Sequence, residues 1–194
     1  MQTIKFRSIT LAAAMAACSL AFVGCTTTSP SNDSSGTSSR ASIDAQVSAA
    51  MSKLYNTVPS SREMVGKAAG VLVFPQVVGA SLGVGAEYGK GSLMTAGKTV
   101  GYYSTTQGSL GFQAGAQSKA VIYLFNTQDA LAKFQNSKGW TAGADATVAV
   151  AKVGANGAVD SQSVRQPVVS FVLTNVGLEA GVSVSGAKIT KLDM

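Results

Sequence analysis

Residues 67–95 read KAAGVLVFPQVVGASLGVGAEYGKGSLMT, and the expected fold class follows mainly from this stretch. The apolar run 71–74 lies between Gly70 and Pro75, which is typical of a fully buried strand that ends at the proline. Glycine is dense from here onward, since residues 66–115 hold 12 of the 21 glycines. Short apolar segments alternate with turn signals at intervals of roughly ten residues, a pattern that predicts a tightly turned antiparallel sheet or barrel.

Helical patterns lie on both sides of this stretch. Upstream, apolar residues spaced by three or four predict an amphipathic helix over about 43–57, and the stripe consists of Ile43, Val47, Met51, Leu54 and Val58. A short helix follows Pro59 and runs to about Ala69. Downstream, Thr127 is the predicted N-cap of a helix over 128–136 with Ala130, Leu131 and Phe134 on one face.

The rest of the chain is predicted to be strand. Residues 120–125 form a second buried run, and residues 147–153, 168–173 and 182–189 alternate between apolar and polar. Trp140 is interpreted as a lid over the core, with an exposed anchor as the alternative. The expected fold class is α+β and mainly β, with a coiled antiparallel, barrel-like core, two N-terminal helices and one central helix.

The N-terminal residues predict export. Lys5 and Arg7 precede an apolar run over 9–23, which is too short to span a membrane and is typical of a signal peptide, residues 1–24. The tetrapeptide Phe22-Val23-Gly24-Cys25 resembles the lipobox of bacterial lipoproteins, which implies acylation of Cys25 after cleavage. Cys18 is an alternative acylation site, and an ordinary signal peptide is an alternative to both. Residues 25–42 are rich in Ser and Thr and are expected to form a flexible tether to a domain over 43–194.

Composition argues against several classes of function. Removal of Lys5 and Arg7 leaves a net charge of (15 − 2) − 9 = +4, without the clustering typical of nucleic-acid binders. The chain has no His, and after acylation of Cys25 it has no free Cys. Its acidic residues form no paired motif, so we expect no catalytic residue, no metal site and no cofactor.

One family resemblance covers about residues 45–192. It is carried by the stretch at 67–95, then GYYS, SLGFQAGAQ, VIYLF, ALAKF, GADATVAV and GLEAGVSVSGAKI, in this order. These motifs resemble the SYLF domain. The resemblance implies a lipid-binding, actin-regulating domain in eukaryotes, where an N-terminal amphipathic helix assists phosphoinositide binding, and a lipoprotein in bacteria.

The functional expectation combines the anchor and the domain. We expect a non-enzymatic lipoprotein of the bacterial outer membrane, facing the periplasm or the surface, that binds lipid or other envelope components. Thr26 supports the outer membrane, because Asp after the acylated Cys is the inner-membrane retention signal of enteric bacteria. Contact with the membrane surface is expected from Lys53, Arg62 and Lys67. The alternatives are a scaffold for a protein partner of unknown identity and, less favoured, an unrecognised hydrolase.

Overall fold

The computed structural model describes residues 32–154, 158–179 and 182–194, with all their side chains except those of 32–35, 38, 80–84 and 109–117. The predictions for the signal peptide, Cys25 and residues 26–31 lie outside the described residues. The helices are α1 Asn32–Thr57, α2 Ser61–Lys67, α3 Gln128–Asn136 and α4 Ser161–Val164. The strands are β1 Gly70–Thr95, β2 Lys98–Phe125, β3 Trp140–Thr141, β4 Val148–Val150, β5 Val168–Thr174, β6 Gly177–Leu178 and β7 Lys188–Leu192.

The seven described strands form one curled sheet. Its path is β3-β7-β2-β5-β4, with β1 beside β2 and β6 beside β5. Every pairing is antiparallel except that of β4 with β5. The predicted fold class is therefore confirmed: a mainly β domain with two N-terminal helices and a central helix, to which the short α4 is added.

The glycine-rich region is a single long hairpin. Strands β1 and β2 pair from Gly70↔Phe125 to Thr95↔Lys98 and turn only at Ala96 and Gly97. Both turn residues have positive φ, 47° and 74°, as the tight hairpin turn that suits twisted strands requires. The predicted turns at shorter intervals are wrong, because most of the glycines lie inside the two strands.

The sequence predicted that the first strand ends at Pro75. In the structure the strand continues past this residue. The β1–β2 register shifts between Phe74 and Val77, so the proline, which has no N–H to donate, lies in a bulge. Strand β1 continues to Thr95 and curls back over its own beginning. A Cβ atom on Gly91 would lie only 1.9 Å from the carbonyl oxygen of Val73. Glycine at position 91 therefore permits the close contact that curls the sheet.

Helix α1 covers one face of the sheet. The predicted stripe is confirmed, since all five of its side chains are at most 7% exposed and pack against apolar residues of β1, β2 and β5. The helix nevertheless begins at Asn32 and not near Ile43. Residues 32–42 were predicted to be tether, but adding turns to an existing helix costs far less than starting one. Among the described side chains of α1, the first buried one is Ile43, where the sequence placed the start of the packed stripe.

The opposite face carries an aromatic core. Helix α3 has the predicted bounds and cap, with Thr127 Oγ1 accepting from the Ala130 N–H, and it buries the three predicted side chains. Trp140 is 2% exposed and contacts the ring of Phe134 at a centroid distance of 5.6 Å. Its predicted position as a lid on the core is confirmed.

Candidate functional site

Lys53 joins α1 to the end of β5. Its side chain is exposed on α1, and its Nζ donates a 2.8 Å hydrogen bond to the carbonyl oxygen of Thr174. It lines a groove of about 300 Å³ together with Gln46, Gln76 and Lys119. The one acceptor that holds the ammonium group is thus neutral, a backbone carbonyl oxygen.

Arg62 lies over an aromatic ring of the preceding helix. Its guanidinium carbon is 4.5 Å from the ring centroid of Tyr55, within the range of a cation–π contact. Burial raises the pKa of the Tyr55 phenol, and the positive charge of Arg62 opposes that rise. No described carboxylate lies within ion-pair distance of Arg62. The contact therefore orients the cation without neutralising it.

Lys67 forms an ion pair one helical turn from its partner, Glu63. The Nζ–Oε1 distance is 2.5 Å, and the side chains are 75% and 73% exposed. The hydrogen bond and the charge of Lys67 lower the pKa of the Glu63 carboxyl. An ion pair this exposed is screened by water and salt, so it orients Lys67 more than it stabilises the fold.

The three predicted contact residues thus do not form one cluster. Arg62 and Lys67 share the short helix α2, whereas Lys53 is bound to the end of β5. Cys25, the predicted lipidation site, lies outside the described residues. What the three cations share is exposure on the first two helices of the domain.

A nearly buried ion pair lies inside the curl of the long hairpin. Lys119 Nζ is 2.8 Å from Glu87 Oε2 and donates to Oε1 at 3.0 Å, and the two side chains are only 14% and 17% exposed. Along the hairpin, Lys119 is opposite Val77 and Glu87 is opposite Gln107. The ion pair therefore joins two parts of the hairpin that are not paired with each other in the sheet. Burial and the charge of Glu87 raise the pKa of the Tyr123 phenol.

Sequence analysis missed this pair. The two residues are 32 positions apart, and nothing local shows that the hairpin curls enough to bring them together. The available signal was weak: each is one of two charged residues in a long, largely uncharged, glycine-rich strand. Because Lys119 and Glu87 neutralise each other, we assign the pair a structural role, in stabilising the curled hairpin, and not a role in binding.

Asp44 connects α1 to the tip of the hairpin. Its carboxylate accepts hydrogen bonds from the Tyr102 hydroxyl at 2.8 Å and from Thr99 Oγ1 at 3.2 Å. Partial burial raises the pKa of the Tyr102 phenol, and the contact with Asp44 adds to this rise. The contact fixes the middle of α1 on β2.

Neither a metal centre nor a spanning helix is found in the described part of the chain. Over those residues, no three His, Cys, Asp or Glu side chains are grouped as metal ligands would be. No described helix is both long enough and apolar enough to cross a bilayer.

Comparison with known proteins gives one family. Residues 106–193 match the family described as Las17-binding protein actin regulator, Ysc84. A search of curated proteins found no match. The matched region runs from within β2 to β7 and includes α3, Trp140 and Lys119. Helices α1 and α2 precede it. The match over residues 106–193 confirms, for this part of the chain, the SYLF-domain resemblance that the sequence motifs indicated.

Proposed function

We propose that this protein is an exported lipoprotein, anchored to the outer membrane by acylated Cys25, whose SYLF domain binds anionic lipid without catalysing a reaction. The observation that carries the proposal is the set of exposed cations, Lys53, Arg62 and Lys67, on the helices that directly follow the expected anchor. Only Lys67 of the three has a described carboxylate partner. Cations near an anionic surface add weak, salt-sensitive attraction.

Chain length sets the geometry of this contact. Six residues, 26–31, separate Cys25 from α1, and an extended chain of that length spans at most about 20 Å. Helix α1 has 26 residues and is therefore about 39 Å long at 1.5 Å per residue. Lys53 and α2 lie toward its far end. We therefore expect α1 to lie along the membrane when these cations contact it.

The anchor is tested directly on the full-length protein. We expect mass spectrometry to find diacylglyceryl Cys25 as the first residue, and Cys25→Ser to be lost from the membrane fraction. Cys18→Ser is the matched control and should leave the membrane fraction unchanged. An unmodified chain that begins at another residue would contradict the anchor.

The lipid contact is tested without the acyl chains, because these bind bilayers by themselves. The fragment 31–194 retains both clusters of buried side chains, which extend from Ile43 to Ile189. We expect this fragment to float with vesicles that contain phosphatidylglycerol and to remain below vesicles of phosphatidylcholine alone. Equal flotation with both would remove the electrostatic basis of the proposal.

A protein-interaction scaffold is the second candidate. The matched family is described by binding to a protein, Las17, and by actin regulation. On this chain, Val176 at the β5–β6 turn is 99% exposed, and we choose it as the position at which to test such a contact. A fragment that floats with neither vesicle but captures one envelope protein, and loses it on Val176→Asp, would favour the scaffold.

A further inference from the structure

An apolar pocket lies between the two N-terminal helices and the tip of the long hairpin. Its volume is about 410 Å³. Its walls include Met51 and Tyr55 of α1, Val65 and Gly66 of α2, and Met94 and Gly97 at the hairpin tip. This volume lies toward the lower end of the range of about 300–1,000 Å³ found for small-molecule sites. It suits one acyl chain better than two.

The walls of the pocket suit a flexible hydrocarbon. Methionine side chains lie on two of its sides, and methionine adapts its shape to an apolar guest. Gly66 and Gly97 place no side chain into the space, and a Cβ atom on either would have no neighbour within 4 Å. No acidic residue lines the pocket. By contrast, the groove of about 300 Å³ on the other side of α1 includes the polar residues Gln46, Gln76 and Lys119.

The charges beside the pocket favour an anionic head group. Tyr55 is part of the wall, and Arg62 lies over its ring. Lys98 directly follows Gly97, is exposed, and like Arg62 has no described carboxylate within ion-pair distance. The neighbouring acids already have partners, since Glu63 binds Lys67 and Asp44 accepts two hydrogen bonds. A guanidinium group can bind a carboxylate through two parallel hydrogen bonds.

We propose that this pocket binds the acyl chain of a single long-chain fatty acid, with its carboxylate at Arg62. The inference rests on the proposed lipid-binding function and names the ligand class and its site. The anionic membrane surface is contacted by the exposed side of α1 and α2. The fatty acid lies between these helices and the hairpin tip.

The site is mapped on the full-length protein in isolated membranes. A palmitate analogue with a diazirine and an alkyne is added without ATP or coenzyme A, so that it is not activated for transfer to Cys25. After irradiation, we expect cross-links in peptides that contain Met51 and Met94, and competition by unlabelled palmitate. Cross-links confined to other peptides would overturn the inference.

Two substitutions at Gly66 form a matched pair. Because a Cβ atom on this wall residue has no neighbour within 4 Å, we expect Gly66→Ala to keep the pocket open and the ring of Gly66→Phe to occupy part of it. We expect labelling of the Phe variant to fall by about tenfold, and labelling of the Ala variant to stay within about twofold of wild type. Thermal midpoints of the corresponding 31–194 fragments verify that both variants fold. A folded Phe variant labelled as strongly as wild type would overturn the inference.

Arg62 tests the head group. Arg62→Lys should retain most of the labelling and Arg62→Glu should lose it, since only the first keeps a cation beside Tyr55 in the pocket wall. Equal labelling of the two variants would overturn the role of Arg62. Flotation of the Gly66→Phe fragment separates the surface contact from the pocket. If this fragment floats as wild type does, while the full-length Gly66→Phe variant is no longer labelled, both proposals are supported. Loss of flotation by the wild-type fragment, with labelling retained in full-length protein, contradicts only the surface contact.

Discussion

Gly91 is the residue on which the curl of the sheet depends most directly. An added Cβ would meet the carbonyl oxygen of Val73 at 1.9 Å, and backbone atoms cannot move aside as a flexible side chain can. We expect Gly91→Ala to lower the free energy of unfolding of the 31–194 fragment by about 3 kcal/mol, the upper end for overpacking. Urea denaturation measures the change.

The control for this substitution is another strand glycine. Gly108 of β2 is exposed and has no neighbour within 4 Å of an added Cβ. Gly108→Ala should leave stability unchanged or raise it by up to about 1 kcal/mol, since alanine loses less backbone entropy in a strand. Equal losses of unfolding free energy for Gly91→Ala and Gly108→Ala would show that the curl does not depend on the close contact between Gly91 and Val73.

The ion pair of Glu87 and Lys119 is a second contact on which the curl depends. Lys119→Met leaves a mostly buried carboxylate without its partner, so we expect a loss of about 3 kcal/mol in unfolding free energy. Adding Glu87→Gln should restore more than half of it, because the uncompensated charge is then removed. Urea denaturation of the single and double variants measures this. If the second substitution adds a further loss, charge pairing is not what stabilises the curl.

Helix α1 combines a packed segment with an N-terminal extension. The described side chains between residues 36 and 42 are exposed or half-buried, whereas Leu54 is fully buried. We expect a fragment that starts at residue 43 to unfold within about 1 kcal/mol of the 31–194 fragment, because most helix stability comes from packing. Its helical circular dichroism should still decrease.

Leu54→Ala is the matched comparison for this truncation. It leaves the helix at full length but removes a fully buried side chain, which should cost about 3 kcal/mol. A truncation as costly as this substitution would show that residues 31–42 contribute to the fold and do not merely extend the helix.

The elements predicted correctly are those whose signals are local. The α1 stripe and the α3 cap with its apolar face are set by spacings of three and four residues. The hairpin could not be predicted in this way, because the contact between Val73 and Gly91 joins positions 18 apart. A glycine that permits close packing inside a strand looks the same in the sequence as a glycine in a turn. Similarly, the three candidate cations were predicted from position and charge, and their contact with a membrane stays a prediction. Their partners within the fold were not predicted, since Lys53 binds a residue 121 positions away.

At the scale of the whole molecule, the proposed function depends on where the cations lie relative to the sheet. The three proposed contact cations are on the helices over one face, while Lys133 is on α3, which packs against the other. Lys133 is paired with Asp129 and is 72% exposed, much as Lys67 is paired with Glu63. Lys133 therefore serves as a control cation of similar exposure and pairing on the opposite face of the sheet.

The most direct test of lipid contact by α1 and α2 is flotation of the 31–194 fragment with phosphatidylglycerol vesicles at about 50 mM and about 500 mM salt, where screening lengths differ severalfold. The variant carries Lys53→Glu, Arg62→Glu and Lys67→Glu, and the control carries Lys133→Glu, Lys138→Glu and Lys188→Glu, an equal change in charge. Each cation near the surface contributes about 1 kcal/mol. We expect wild type and control to float at low salt and sink at high salt, and the variant to sink at both. Equal flotation of variant and control at low salt would contradict the account.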